Sequence, residues 1–249
     1  MGAKMSDKIV SEKIALVTGA NRGLGFGTAA ALGKLGYKVL MTGRTLAKVE
    51  EVAENLKREG MDIECYQCDV TNDEVVKKLA GVIRERWGHL EVLVNNAGVL
   101  LEATDPTKSD NASFLKVDPQ VVLKSLNANS VGPLRMIQNF APLMQVKNFG
   151  RIVNVSSGMG QLSDMEGKFP GYRMSKTALN ALTVLVSKEL AGTNIKVNAI
   201  CPGWVKTDMG GPSATRTLSE GVNGIVWAAT LADNGPTGGY FRDGEPIPW

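Results

Sequence analysis

The sequence predicts an α/β fold: a single doubly wound parallel sheet with helices on both faces. Three features predict it. Short apolar runs alternate along the chain with amphipathic stretches of roughly 10–20 residues, the pattern of βαβ units. The apolar runs are nearly continuous, as strands buried on both faces require. A glycine cluster joins the first apolar run to the first helical stretch.

KIALVTG (13–19) reads as the first buried strand, and 24–36 as an Ala- and Leu-rich helix stopped by Gly36. YKVLMTG (37–43) is the second strand, followed by an amphipathic helix over 46–60 that closes on a glycine. MDIECYQCDV (61–70) is the third strand. Thr71 and Glu74 have the spacing of a capping box and open a helix that runs to Trp87. LEVLVNNAG (90–98) is the fourth strand. The polar stretch 99–117, which carries Pro106, is a loop beside the cleft. A long helix containing Pro133 covers 118–145, RIVNVSS (151–157) is the fifth strand, and 172–191 is a long helix. IKVNAICPG (195–203) is the sixth strand, 217–232 the last helix and GGYFRDG a short final strand.

The 249 residues, 26.6 kDa, suit one large core. Residues 1–11 are expected to be a flexible leader and 12–249 a single Rossmann-fold domain. Hydrophobic residues make up 43% and charged residues 21%, the composition of a globular chain. A net charge of +3, from 28 basic against 25 acidic residues, argues against nucleic acid or an anionic membrane as partner. Residues 1–12 are too polar for a secretory signal, and the expected location is cytoplasmic. Cys65 and Cys68 form a C-x-x-C, but on a strand they point to opposite faces, and no second pair completes a metal site. No metal is expected. The single histidine, His89, follows a helix end and is a poor catalytic candidate.

The glycine loop TGANRGLG (18–25) lies between strand and helix, where backbone N–H groups can approach a pyrophosphate. Its spacing is G-x-x-x-G-x-G. Gly19, Asn21, Arg22, Gly23, Leu24 and Gly25 are its candidate contacts. The second strand ends without an acidic residue to bond a ribose 2′-hydroxyl. Gly43 leaves space there, and Arg44 supplies a planar cation suited to a 2′-phosphate. Arg22 can reach the same group, so the pair favours NADP over NAD. Asp69 and Val70 close the third strand, where a carboxylate can accept from an adenine amino group. Asn96, Ala97 and Gly98 close the fourth, where glycine lets backbone pass close to a ribose.

Tyr172 and Lys176 stand at i and i+4 on one helical face. A free phenol titrates near 10, and a cation one turn away is expected to lower it. Ser156 and Ser157 end the fifth strand, where a hydroxyl can orient a substrate oxygen towards that phenol.

TGANRGLG, NNAG (95–98), NSVG (129–132), VNVSS (153–157), YRMSK (172–176) and CPGWVKTDM (201–209) occur in one order. With them the chain resembles the short-chain dehydrogenase/reductase family over about residues 12–245, and most of all its NADPH-dependent carbonyl reductase branch. The resemblance implies reduction of ketones or aldehydes to alcohols. It makes Tyr172 the catalytic acid/base, and gives Lys176 the tasks of lowering the tyrosine pKa and binding the nicotinamide ribose. It assigns the substrate carbonyl to Ser157 rather than Ser156, and a proton-relay water to Asn129. Pro202, Gly203 and Val205 fall in the turn against the nicotinamide, and Thr207 near its carboxamide.

Monomeric members of that branch carry a long insertion before the tyrosine. Here Ser157 and Tyr172 are fifteen residues apart, so a homo-dimer or homo-tetramer is expected. The short segment after Thr207 implies an open cleft, with Met159, Leu162, Phe169, Trp204 and Met209 as apolar lining. Other readings stay open: a 3-oxoacyl thioester reductase, for which Lys206 and Arg216 would supply a basic patch; an NAD(P)-linked alcohol dehydrogenase; and an NADPH-binding regulatory protein without turnover.

Overall fold

The computed structural model describes residues 13–102 and 112–249. The leader expected at 1–11 and the middle of the 99–117 loop lie outside the described residues. The elements run β1 (Ile14–Val17), α1 (Gly23–Lys34), β2 (Lys38–Gly43), α2 (Leu46–Arg58), β3 (Ile63–Gln67), α3 (Asp73–Arg86), β4 (Val92–Asn95), α4 (Pro119–Leu126), α5 (Gly132–Gln145), β5 (Gly150–Val155), α6 (Pro170–Glu189), β6 (Ile195–Ile200), α7 (Leu218–Ala229), β7 (Tyr240–Arg242) and β8 (Glu245–Pro246). These strands form one sheet in the order β3-β2-β1-β4-β5-β6-β7-β8. Every neighbouring pair is parallel except β7 with β8.

Alternation along each strand divides the core into two layers. Ala15 and Val17 of β1 face α1, α2 and α7, together with Val39, Met41 and Val153. Ile14 and Leu16 face α3 and α5, together with Leu40, Leu93 and Ile152. Strand order reverses between β1 and β4, and the carboxyl ends of strands at such a switch point are where open α/β sheets bind ligands.

Three local expectations are corrected. The helix over 118–145 is interrupted by a π turn at Asn127–Val131, in which Gly132 N donates to Asn127 O five residues back. Pro133 explains the break: it has no N–H for the Asn129 carbonyl, and its ring would collide with that oxygen in a regular helix. The cap of α3 is Asn72, whose side chain accepts from Glu74 N and Val75 N. Thr71 turns back instead and donates from N and Oγ1 to Asp69 Oδ1 at 2.9 and 2.7 Å. The chain end carries an additional antiparallel strand, β8. It pairs Arg242 with Glu245 across a tight turn at Asp243 and Gly244, both with positive φ.

Arg151 on β5 is 1% exposed and ties the sheet to its lower loops. It donates to the carbonyls of Leu231, Gly150 and Asn194 and pairs with Asp233 at 2.9 Å. Arg151→Ala is expected to lower stability by about 2–4 kcal/mol, because three buried or part-buried carbonyls lose a charged donor. Urea unfolding with an unchanged m-value checks this; a loss under about 0.5 kcal/mol would refute it.

Candidate active site

The carboxyl ends of the central strands open on a cavity of about 670 Å³, within the roughly 300–1,000 Å³ common for ligand pockets. Its floor is the glycine loop. Gly19 has φ +63, and a Cβ there would lie 2.9 Å from Ala97 Cα; a Cβ on Gly25 would overlap the Gly19 carbonyl. Arg22, at the N-cap of α1, makes no side-chain cap bond, so the first N–H groups of the helix are left for an anion. Asn96 holds the turn in place: its Nδ2 donates to Thr18 O at 2.8 Å and Gly19 O at 3.1 Å. Thr18 Oγ1 accepts from Asn96 N and Ala97 N. The cradle fits a dinucleotide phosphate, with Asn21, Gly23, Leu24 and Gly98 on the same lining.

The two expected phosphate arginines stand differently. Arg44 is exposed at the end of β2, and its guanidinium has no partner among the described residues. Arg22 pairs with Asp208 at 2.7 Å across the cleft. Both side chains are largely exposed, 68% and 71%, and such a pair contributes about 0–1 kcal/mol, so a dianion can displace it. Asp69 lines the cavity at the end of β3 with Oδ1 already taken by Thr71, and Val70 packs under Gly132.

The chemistry-bearing residues converge on the opposite wall. Ser157 follows β5, and its Oγ accepts from Met159 N at 3.2 Å. Ser156 points away, donating to Asn180 Oδ1 at 2.6 Å. Tyr172 enters from the first turn of α6, whose start is held by Glu102 Oε1 accepting from Tyr172 N at 2.9 Å. Lys176, one turn on, is 4% exposed and donates from Nζ to Val155 O at 2.8 Å. Its Nζ stands 5.7 Å from the Tyr172 ring centroid.

Burial dominates the titration of this pair. It pushes the Tyr172 phenol up to about 12, against the hydrogen bond from Ser157. It brings Lys176 down to about 8. Burial is the largest influence on the phenol, and it acts opposite to the lowering that the i, i+4 spacing suggests.

Asn129 stands behind the lysine, on the π turn. Its Oδ1 accepts from Val99 N, and its Nδ2 donates to Val99 O and to Ser175 Oγ. A Cβ on Gly98 would come within 3.2 Å of Asn129 Oδ1 and 3.6 Å of Lys176 Nζ, so only glycine leaves this corner open.

The segment after β6 completes the wall. Pro202, Gly203, Val205 and Thr207 line the cavity. The segment is folded on itself: Trp204 Nε1 donates to Gly210 O at 2.7 Å, and Gly210 N to Thr207 Oγ1 at 3.1 Å. Asp208 of this segment reaches Arg22 of the glycine loop. Of the apolar candidates, Met159, Trp204 and Met209 line the cavity. Leu162 is exposed, and Phe169 is buried behind Tyr172 against Ala112. Arg216 is not free for a basic patch, since Asp243 holds both its terminal nitrogens. Glu102 and Arg242 lie outside the sequence motifs, and Cys201 and Asp208 lie within CPGWVKTDM without a role assigned to them. Each acquires its place only through a partner distant in the chain.

A phosphate cradle at a switch point, with serine, tyrosine and lysine on the facing wall, defines an oxidoreductase of the doubly wound class. The family model for short chain dehydrogenases matches residues 13–217, and the chain belongs to that family. Carbonyl reductase (NADPH) 3 of Rattus norvegicus is 31% identical over 283 residues, covering 95% of this chain and 98% of the relative. The solved carbonyl reductase Sniffer of D. melanogaster superposes with a TM-score of 0.85 at 30% identity, over 96% of this chain and 99% of that one. An NADPH-bound carbonyl reductase from chicken fatty liver gives 0.82 at 27%, over 96% and 99%. Among the described residues no helix is long and apolar enough to cross a membrane.

The buried lysine makes a stability prediction. Its folded pKa, about 8, lies below the ordinary lysine value of 10.5. Below pH 8 both states carry the proton and the full cost of the buried charge is present; it fades as pH rises towards 10.5. Lys176→Met is therefore expected to stabilise the protein by about 1–2 kcal/mol at pH 7, the desolvation relieved less one hydrogen bond. The gain should shrink as pH rises above 8 and be gone by about pH 10, where the lost hydrogen bond to Val155 O is no longer outweighed. Paired denaturant titrations at pH 7 and pH 10 check it; a variant less stable at pH 7 would overturn the reading.

Proposed function

We propose that the protein reduces ketones or aldehydes to alcohols with NADPH. The observation that carries this reading is the convergence of Ser157, Tyr172 and Lys176 on the cavity wall facing the glycine loop. The relatives named carbonyl reductase (NADPH) support it. Arg44, with Arg22 released from Asp208, binds the 2′-phosphate; the α1 N-terminus takes the pyrophosphate; Gly98, Lys176 and the 202–207 segment receive the nicotinamide end. Bound there, the reduced cofactor supplies a hydride.

Ser157 Oγ donates to the substrate carbonyl oxygen and holds it beside the Tyr172 hydroxyl. As negative charge develops on that oxygen, Tyr172 gives it a proton. A phenol kept near 12 by burial is fully protonated at neutral pH, which is the form a donor needs. Lys176, near 8, is charged at pH 7 yet able to pass its proton on to the phenolate. The Asn129 side chain is spent on Val99 and Ser175, so a relay water is held by its main-chain carbonyl, for which Pro133 has no N–H.

The 3-oxoacyl thioester reading is weaker, because Arg216 is engaged by Asp243.

Cofactor choice is checked by titrating both nucleotides. NADPH should bind at least about tenfold more tightly than NADH, about 1.4 kcal/mol, which one charged contact supplies. Arg44→Asp should erase or reverse the preference, whereas equal affinities in the wild type would refute it. For the proton donor, Tyr172→Phe should keep the fold and NADPH binding and lose roughly 10²–10⁴ in turnover of a ketone. Retention of more than about a tenth of the wild-type rate would remove Tyr172 from that role.

A further inference from the structure

We infer that Arg242 is a specificity residue that selects carbonyl compounds also bearing a carboxylate. This deepens the reductase reading and rests on it. Arg242 ends β7 where the main cavity meets a second recess of about 380 Å³ over Gly158 and Met159, whose lining also carries Asp164 and the Arg173–Glu166 pair. Its Nη2 donates to Cys201 Sγ at 3.2 Å, and the same sulfur accepts from Gly158 N at 3.1 Å. Gly158 directly follows Ser157, and a Cβ on it would stand 3.0 Å from Arg242 Nη2. The guanidinium thus lies against the residue that follows Ser157.

No carboxylate of the described residues forms an ion pair with Arg242. Every other buried or half-buried arginine has a carboxylate: Arg135 with Asp73, Arg151 with Asp233, Arg173 with Glu166 and Arg216 with Asp243. Asp243, its neighbour in the chain, feels its charge, but Arg216 holds both carboxylate oxygens at 2.7 and 2.6 Å. Arg242 Nε is buried with no partner, and the thiol on Nη2 is a weak acceptor.

A half-buried cation without a counter-charge is costly. It is retained at low cost where a ligand supplies the anion, and a planar carboxylate matches the guanidinium fork. With the carbonyl on Ser157 and Tyr172, the substrate is a short oxo acid whose carboxylate lies a few bonds from the reacting carbon.

The test pairs short oxo acids, with the carbonyl at positions 2 to 5, against their neutral amides. NADPH oxidation and calorimetric binding to the NADPH complex are both read. At least one acid should exceed its amide by about tenfold or more in kcat/KM, chiefly through KM, as expected for a site with a charged partner for the carboxylate. Arg242→Gln should abolish that ratio while the amide's kcat/KM stays within about threefold, and Arg242→Lys should retain part of it. Equal values for acid and amide in the wild type, or a ratio that survives Arg242→Gln, overturn the proposal. If Arg242→Gln shows no cooperative melt, the ratio in Arg242→Lys decides: an unchanged ratio counts against the fork, a reduced one for it. If no carbonyl compound is reduced at all, the reductase reading fails. Calorimetry then decides for Arg242 alone, by whether acid binding exceeds amide binding and is lost in Arg242→Gln.

Discussion

A lysine ammonium held 4% exposed on a single main-chain carbonyl is the constraint around which this site is arranged. Desolvation of a cation is costly, and the fold meets that cost only in part, with Val155 O. Space for the group comes from Gly98, position from the long helix α6, and a polar flank from Asn129. The lysine's neighbours are also committed elsewhere: Ser175 to Asn129 and the Tyr172 carbonyl, Asn129 to both main-chain groups of Val99. These bonds tie the loop after β4 to α6 beside the charge. Stability is traded for a group whose proton is loosely held beside a phenol whose proton is tightly held.

The fold was legible because two-sided burial leaves a strong mark. Ile14, Leu16, Leu40 and Leu93 on one layer and Ala15, Val17, Val39 and Val94 on the other fill strands with no polar alternation. The glycine loop and the Tyr172–Lys176 pair could be read for a different reason: each spacing lies within one turn or one helix, and Ser157 was read from its place at the end of the fifth strand. Local competition blurred other signals. Thr71 looked like a cap, but Asp69 offered it a closer acceptor and Asn72 took the helix. Pro133 looked tolerable within a long helix, and it widened the turn instead.

What the sequence concealed is long-range pairing. Arg22 and Asp208 are 186 residues apart, and nothing at either position announces the other. Glu102 holds the start of α6 from 70 residues away. Arg242 lies next to an acidic residue in the chain and would be taken for half of an ion pair. Only the fold reveals that Arg216 has claimed that carboxylate. Leu162 and Phe169 show the reverse case, apolar residues near the site in sequence that the backbone turns outward or behind it.

The π turn at Asn127–Val131 is also a phase shifter. An α-helix rotates about 100° per residue, and a π turn amounts to one residue inserted into that rotation. The insertion lets two successive helices present different sectors. α4 turns towards α6, where a Cβ on Gly171 would meet Val122 Cα at 3.2 Å. α5 turns Met136, Phe140 and Met144 into the sheet layer that holds Leu93 and Ile152. Asn129 occupies the point where the angular offset is taken up. Its direction towards Val99 and Ser175 is therefore set by a count of residues as much as by any bond it makes.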